Sequence, residues 1–149
     1  MTPQQFISAI ATSAQANERV SKVPASFTIA QAALESGWGA RALGNNLFGI
    51  KADASWHGAT VTMNTHEVVH GVRVPVVAQF RAYPDWQGSI DDHSKFLTGN
   101  PRYHAAFACL DSHAFTCAIA VAGYATDENY ASIINSIIDT HNLTEYDVC

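Results

Sequence analysis

Residues 66–70 read His-Glu-Val-Val-His, the pattern with which two imidazoles and a glutamate build a zinc peptidase site. That chemistry needs a helix, where side chains four positions apart stand roughly 6 Å from each other and both rings reach one ion. On a strand the same offset spreads them by roughly 13 Å, because each residue advances about 3.3 Å. Gly71 follows at once, Val68 and Val69 favour extended backbone, and Pro75 bars a helix from running on. The stretch therefore reads as strand, with His66 and His70 as surface histidines near a turn. A zinc metallopeptidase built on His66, Glu67 and His70 stands only as an alternative, and no metal or cofactor is expected.

Glu35 is the second carboxylate with chemistry in reach. It closes the apolar run Thr28-Ile29-Ala30-Gln31-Ala32-Ala33-Leu34 and is followed by Ser36, Gly37 and Trp38. At a helix C-terminus a carboxylate meets the negative end of the macrodipole, which disfavours its charged form. Burial beside Trp38 would push its pKa the same way. A carboxylic acid kept protonated towards neutrality is what protonation of a leaving glycosidic oxygen requires. The plain alternative is a solvated last-turn residue paired with Arg41.

The elements that must position these groups follow from periodicity. Thr2-Pro3-Gln4-Gln5 reads as an N-cap, a proline at the first helical position and a glutamine three after the cap, and Phe6, Ile7, Ile10 and Ala14 follow at helical spacing. A second helix is predicted from near Pro24 to Glu35, with Gly37 to stop it. The glycine-rich segment after it, with Asn45-Asn46, reads as a shaped loop. From Thr60 to Tyr83 the period is two, interrupted by His70-Gly71, which predicts a β-hairpin with a two-residue turn. Helical spacing returns with Ile90, His93, Phe96 and Leu97, a short helix after Asn100-Pro101, another after Asp111-Ser112, and a last one from about Asp127. Within these, Tyr130 reads as core, His93 and His104 as ordinary helix residues, and Asp91 and Asp92 as solvated first-turn acids.

Composition narrows the function classes. At 149 residues the chain is expected to form one domain, residues 1–149, with a single core. Only 14% of residues are charged against 48% apolar, which excludes a disordered chain. The net charge of −5 and the lack of any Lys/Arg cluster argue against nucleic-acid binding. No apolar run is long enough for a membrane span. Cys109, Cys117 and Cys149 form no C-x-x-C; a Cys109–Cys117 disulfide and three reduced thiols are equally compatible with the sequence. The opening residues carry no general signal-peptide pattern, so secretion by another route is expected.

The stretches AQAALESGWGARALGNNLFGIKA, FRAYPD, NPRY and AGYATDENYA resemble, in order, the flagellar peptidoglycan hydrolase domain and its relatives in glycoside hydrolase family 73, over residues from about 1 to 142. The resemblance implies an α+β, mainly helical, lysozyme-like domain with one inserted β-hairpin lobe across a substrate groove. It implies an endo-β-N-acetylglucosaminidase that cleaves the β-1,4 bond between GlcNAc and MurNAc in peptidoglycan. The family's general acid matches Glu35, and its second, hairpin-borne glutamate matches Glu67, although Val68 stands where the family usually has tyrosine. The tyrosine of its G-Y-A-T-D motif matches Tyr124. Trp38, Asn46, Phe48, Lys51, Tyr83 and Trp86 are candidate groove residues, since aromatic faces and amides suit sugar rings.

The expected role is an antibacterial type VI secretion effector, a toxin acting as a monomer in the periplasm of a target bacterium. Its partners would be peptidoglycan glycan strands and a cognate immunity protein occluding the groove. A phage endolysin of the same activity and a non-catalytic wall-binding module are the alternatives.

Overall fold

The computed structural model describes residues 1–149. Helix α1 (Pro3–Ser21) begins with a capping box: Thr2 Oγ1 accepts from the Gln5 amide, and Gln5 Oε1 accepts from the Thr2 amide. Its buried stripe of Phe6, Ile7, Ile10, Ala11 and Ala14 packs on α2 (Ala25–Ser36) and on α3 (Trp86–Thr98). Helix α2 is buried almost all round, its polar Ser26, Thr28, Gln31 and Ser36 included, and runs through the middle of the molecule. A 3-10 helix (Pro101–Ala108), α4 (Ser112–Val121) and α5 (Tyr130–Thr140) complete the body. One core joins them, centred on the fully buried Phe27, Phe115, Ile90, Leu97, Ile119, Ile134 and Ile138.

Between α2 and α3 the chain leaves the body as an antiparallel hairpin of β1 (Thr60–Val69) and β2 (Val72–Arg81). Val69 pairs with Val72, so His70 and Gly71 form the two-residue turn, both at positive φ (50° and 79°). That is the geometry a primed turn demands and the strand twist favours. The predicted mainly helical, lysozyme-like arrangement with one inserted hairpin lobe is the observed one.

Two expectations are corrected. Helix α5 starts at Tyr130 and not near Asp127, because the Asp127 carboxylate accepts from the Asn129 amide and forms a local turn that competes with helix. Asp91 and Asp92 are not free solvated acids: Asp91 accepts from Asn17 and Gln87, and Asp92 from Arg81 and Tyr83. Of the two cysteine states the sequence leaves open, the structure has the free thiols, with no Cys109–Cys117 bridge.

Candidate functional site

The last turn of α2 places Glu35. Gly37 caps the helix at φ 57°, and a side chain there would collide with the Arg41 guanidinium. Ser36 Oγ donates to the Ala32 carbonyl and accepts from the Gly39 amide, which turns the chain sharply after Glu35. The carboxylate therefore ends the helix without being carried into the core, and its outer edge is open to solvent.

Glu35 sits in a cleft of about 370 Å³ with Phe48, Gly49, Ile50, Lys51, Asp53, Arg81, Phe96, Tyr124 and Ala125. Its one hydrogen bond comes from the Tyr130 hydroxyl, which donates to Oε1 at 3.3 Å and accepts from Gln31 Nε2 at 2.7 Å. Burial of its base among these aromatic neighbours raises the Glu35 pKa above the usual carboxylate value, and the Tyr130 hydrogen bond partly offsets this. The macrodipole of α2 acts in the same direction as burial. No ion pair to Arg41 forms.

Tyr124 forms part of the same wall, in the loop after α4 that turns at Gly123. Its ring stacks on Tyr130 at 5.8 Å, and its hydroxyl makes no hydrogen bond within the protein. Burial, and then the neighbouring tyrosine and Glu35, hold its pKa well above the ordinary tyrosine value, so it is a neutral donor facing the cleft. Beneath it lies His93, fully buried and stacked on Phe48 at 3.8 Å between centroids. Neither ring nitrogen of His93 has a hydrogen-bond partner, and burial lowers its pKa to about 3, so the ring is a neutral, flat support for the cleft floor.

Of the residues singled out from sequence, Glu35, Phe48, Lys51 and Tyr124 line the cleft. Glu67 stands on β1, and its Oε1 accepts from Lys51 Nζ at 2.7 Å, which ties the hairpin to the cleft wall. Asn46 is turned inward, donating to the Ile50 and Arg81 carbonyls and accepting from the Phe48 and Ile50 amides, so it shapes the loop that carries Phe48 and Lys51. Trp38 and Trp86 both pack on Phe6, and Tyr83 donates to Asp92; none of the three borders the cleft.

Four groups at the site are not among the candidates the sequence offers. Tyr130 is indeed buried, but its hydroxyl reaches Glu35. His93 lies under the floor. Asp53 and Arg81 border the cleft, with Arg81 bridging Asp92 at 2.9 Å and Asp53 at 3.6 Å. Arg81 and Tyr130 fall inside the FRAYPD and AGYATDENYA stretches, which was the available signal.

His66 lies on β1 and His70 in the turn, so the pattern does not present the helix face a shared zinc needs. A larger groove of about 660 Å³ between α1 and α3 has no aromatic lining, and its Asn17, Gln87 and Asp91 are bonded to one another.

A carboxylic acid with a raised pKa, a neutral tyrosine and aromatic walls, set between a helical body and a hairpin, define a glycosidase-type cleft. The chain belongs to the glucosaminidase family, described as mannosyl-glycoprotein endo-beta-N-acetylglucosaminidase, whose pattern matches residues 11–143. It is 42% identical over 137 residues to peptidoglycan hydrolase FlgJ of Vibrio parahaemolyticus, covering 87% of this chain and 44% of that one. It is 38% identical over 152 residues to exo-glucosaminidase LytG of Bacillus subtilis, covering 97% and 53%. The chain thus spans about half the length of the curated relatives it matches. Among solved structures it is similar to the catalytic domain of the autolysin Auto from Listeria monocytogenes (TM-score 0.87, 34% identity, 97% and 87% covered). It is also similar to a glycoside hydrolase domain of Salmonella typhimurium FlgJ (TM-score 0.81, 36% identity, 94% and 97% covered).

Proposed function

We propose that the chain is a peptidoglycan hydrolase that cleaves the β-1,4 bond between GlcNAc and MurNAc. The observation that carries this reading is Glu35: a carboxyl of raised pKa, held by Tyr130 and facing Tyr124 in the cleft of a glucosaminidase-family domain. Glu35 acts as the general acid and protonates the leaving glycosidic oxygen. Tyr124 donates its free hydroxyl to the N-acetyl group of the sugar. Glu67, whose Oε2 is free of hydrogen bonds, takes the proton of a water attacking from the opposite face. Turbidity clearing of purified sacculi tests the activity, and an intact suspension after prolonged incubation with folded protein contradicts it.

The hydrogen bond from Tyr130 sets a pH dependence. Glu35 must be protonated to act, so activity falls as pH rises through its pKa. Tyr130→Phe removes the contact that lowers that pKa. The alkaline limb of kcat/KM is therefore expected to move to higher pH, with the optimum rate reduced by less than about tenfold, as one hydrogen bond is worth. A limb that stays in place or moves to lower pH dissociates Tyr130 from Glu35.

The carboxylate mechanism needs no metal. Clearing rates are expected to be equal with and without EDTA; a loss of activity restored by zinc would revive a metal mechanism. We further propose the role of an antibacterial effector, acting as a monomer in a target periplasm and restrained by an immunity protein that plugs the cleft. The acidic charge of −5 supports it, whereas the disulfide that would have favoured an oxidising compartment is not formed. A small protein encoded beside this chain that binds it and blocks clearing would support that role, and a neighbouring holin would favour an endolysin.

A further inference from the structure

Lys51 holds its place by its backbone. It forms a bridge to Phe80 on the free edge of β2, flanked by the Arg81 amide donating to the Ile50 carbonyl and the Ala52 amide donating to the Gln79 carbonyl. Arg81 Nε also donates to the Lys51 carbonyl, and the Arg81 guanidinium is anchored on Asp92. The root of this lysine is therefore part of the body's framework, and only its four-carbon stem is free.

The tip of that stem meets Glu67, and the meeting is not what a straight hairpin allows. Glu67 pairs with Val74, six residues along β2 from Phe80. Six residues of strand cover roughly 20 Å. The nine side-chain bonds of a lysine and a glutamate advance about 11 Å in all, and the 2.7 Å hydrogen bond leaves the combined reach well short of that span.

The hairpin must therefore arch towards the face that carries both groups. Register agrees: paired residues project from the same face, so Lys51, Phe80, Val61 and Glu67 share one side. Burial agrees too, since Val74, Val76 and Ala78 on that face are half-buried while Pro75, Val77 and Gln79 on the other are exposed.

We propose that Lys51 is a positioning residue for Glu67: its ammonium clasps the arched hairpin to the cleft wall and sets where the Glu67 carboxylate stands over the sugar. The inference rests on the function proposed above. Only Oε1 is engaged, which leaves Oε2 for the water. Both partners are about half exposed, so salt screens the clasp.

The test compares Lys51→Met and Lys51→Arg with the wild type in two measurements. In steady-state hydrolysis of a soluble glycan, Lys51→Met is expected to lower kcat about 5- to 20-fold with KM within about twofold, and Lys51→Arg to recover most of the rate. A raised KM with unchanged kcat would make Lys51 a substrate contact and overturn the proposal.

The second measurement is the spin-label distance between Val68→Cys and Val121→Cys, both exposed, with the native cysteines replaced by serine. A narrow distribution is expected with Lys51, broadened and lengthened by Lys51→Met. Sodium chloride at about 0.5 M should broaden it in the wild-type background and change nothing further in the variant. Identical distributions in all three backgrounds overturn the clasp. If the wild type cuts no glycan, the functional reading fails, and the distances still decide whether the clasp exists.

Discussion

Glu35→Gln is expected to lower kcat on purified peptidoglycan by about 10³-fold, within the 10²–10⁴ range that general acid catalysis supplies. Glutamine keeps the size of the side chain and can still accept from Tyr130, so the cleft should persist and KM should move little. What disappears is the proton for the leaving oxygen. The same variant should be no less stable than the wild type at neutral pH. Because the Glu35 pKa is raised on folding, the folded state binds its proton more tightly than the unfolded chain does. Stability from this group therefore falls as pH rises from the unfolded value through the folded one, and glutamine removes that cost. Initial rates with substrate titration and a thermal melt at two pH values check both halves. A Glu35→Gln variant that still clears sacculi at more than about a tenth of the wild-type rate would dismiss Glu35 as the acid.

Glu67→Gln is expected to lower kcat about 10²-fold, less than the loss at Glu35 because an unassisted water still attacks a bond already protonated by the acid. The variant keeps an oxygen to accept from Lys51, so the arch should survive and the loss should come from chemistry alone. If Glu67 activates water, the newly released reducing end appears first as the α anomer, and NMR of the early product shows it. Release of the β anomer would instead assign the attack to the substrate's own acetamido group, with Glu67 stabilising charge. A Glu67→Gln enzyme of wild-type rate would remove this residue from the mechanism.

Local rules carried much of the architecture. The hairpin was readable because period-two alternation and a His70-Gly71 pair describe one turn geometry, and both residues do adopt positive φ. The Glu35 end of α2 was readable because Ser36, Gly37 and Trp38 interrupt a helix rich in apolar residues at a carboxylate. Spacing does not report where a polar tip points. It placed Tyr130 in the core beside Ile134 and Ile138, correctly, and was silent on a hydroxyl that leaves the core to meet Glu35. His93 shared the stripe of Ile90 and Leu97, yet nothing in that stripe marks a ring that stacks on Phe48 and meets Tyr124 edge-on. Asp92 looks like any exposed helical acid until β2 brings Arg81 against it. The arch of the hairpin is the clearest case, because Glu67 on β1 meets a partner that lies outside both strands. That partner is Lys51, on a third segment, and strand periodicity does not report it.

The bond that is cut separates a glucosaminidase from a muramidase. Sacculi digested to completion and reduced with borohydride convert every newly exposed reducing end to its alcohol, which mass spectrometry identifies after acid hydrolysis. Reduced glucosamine is the expected product. Reduced muramic acid, with the glucosamine left intact, would show a muramidase and contradict the assignment.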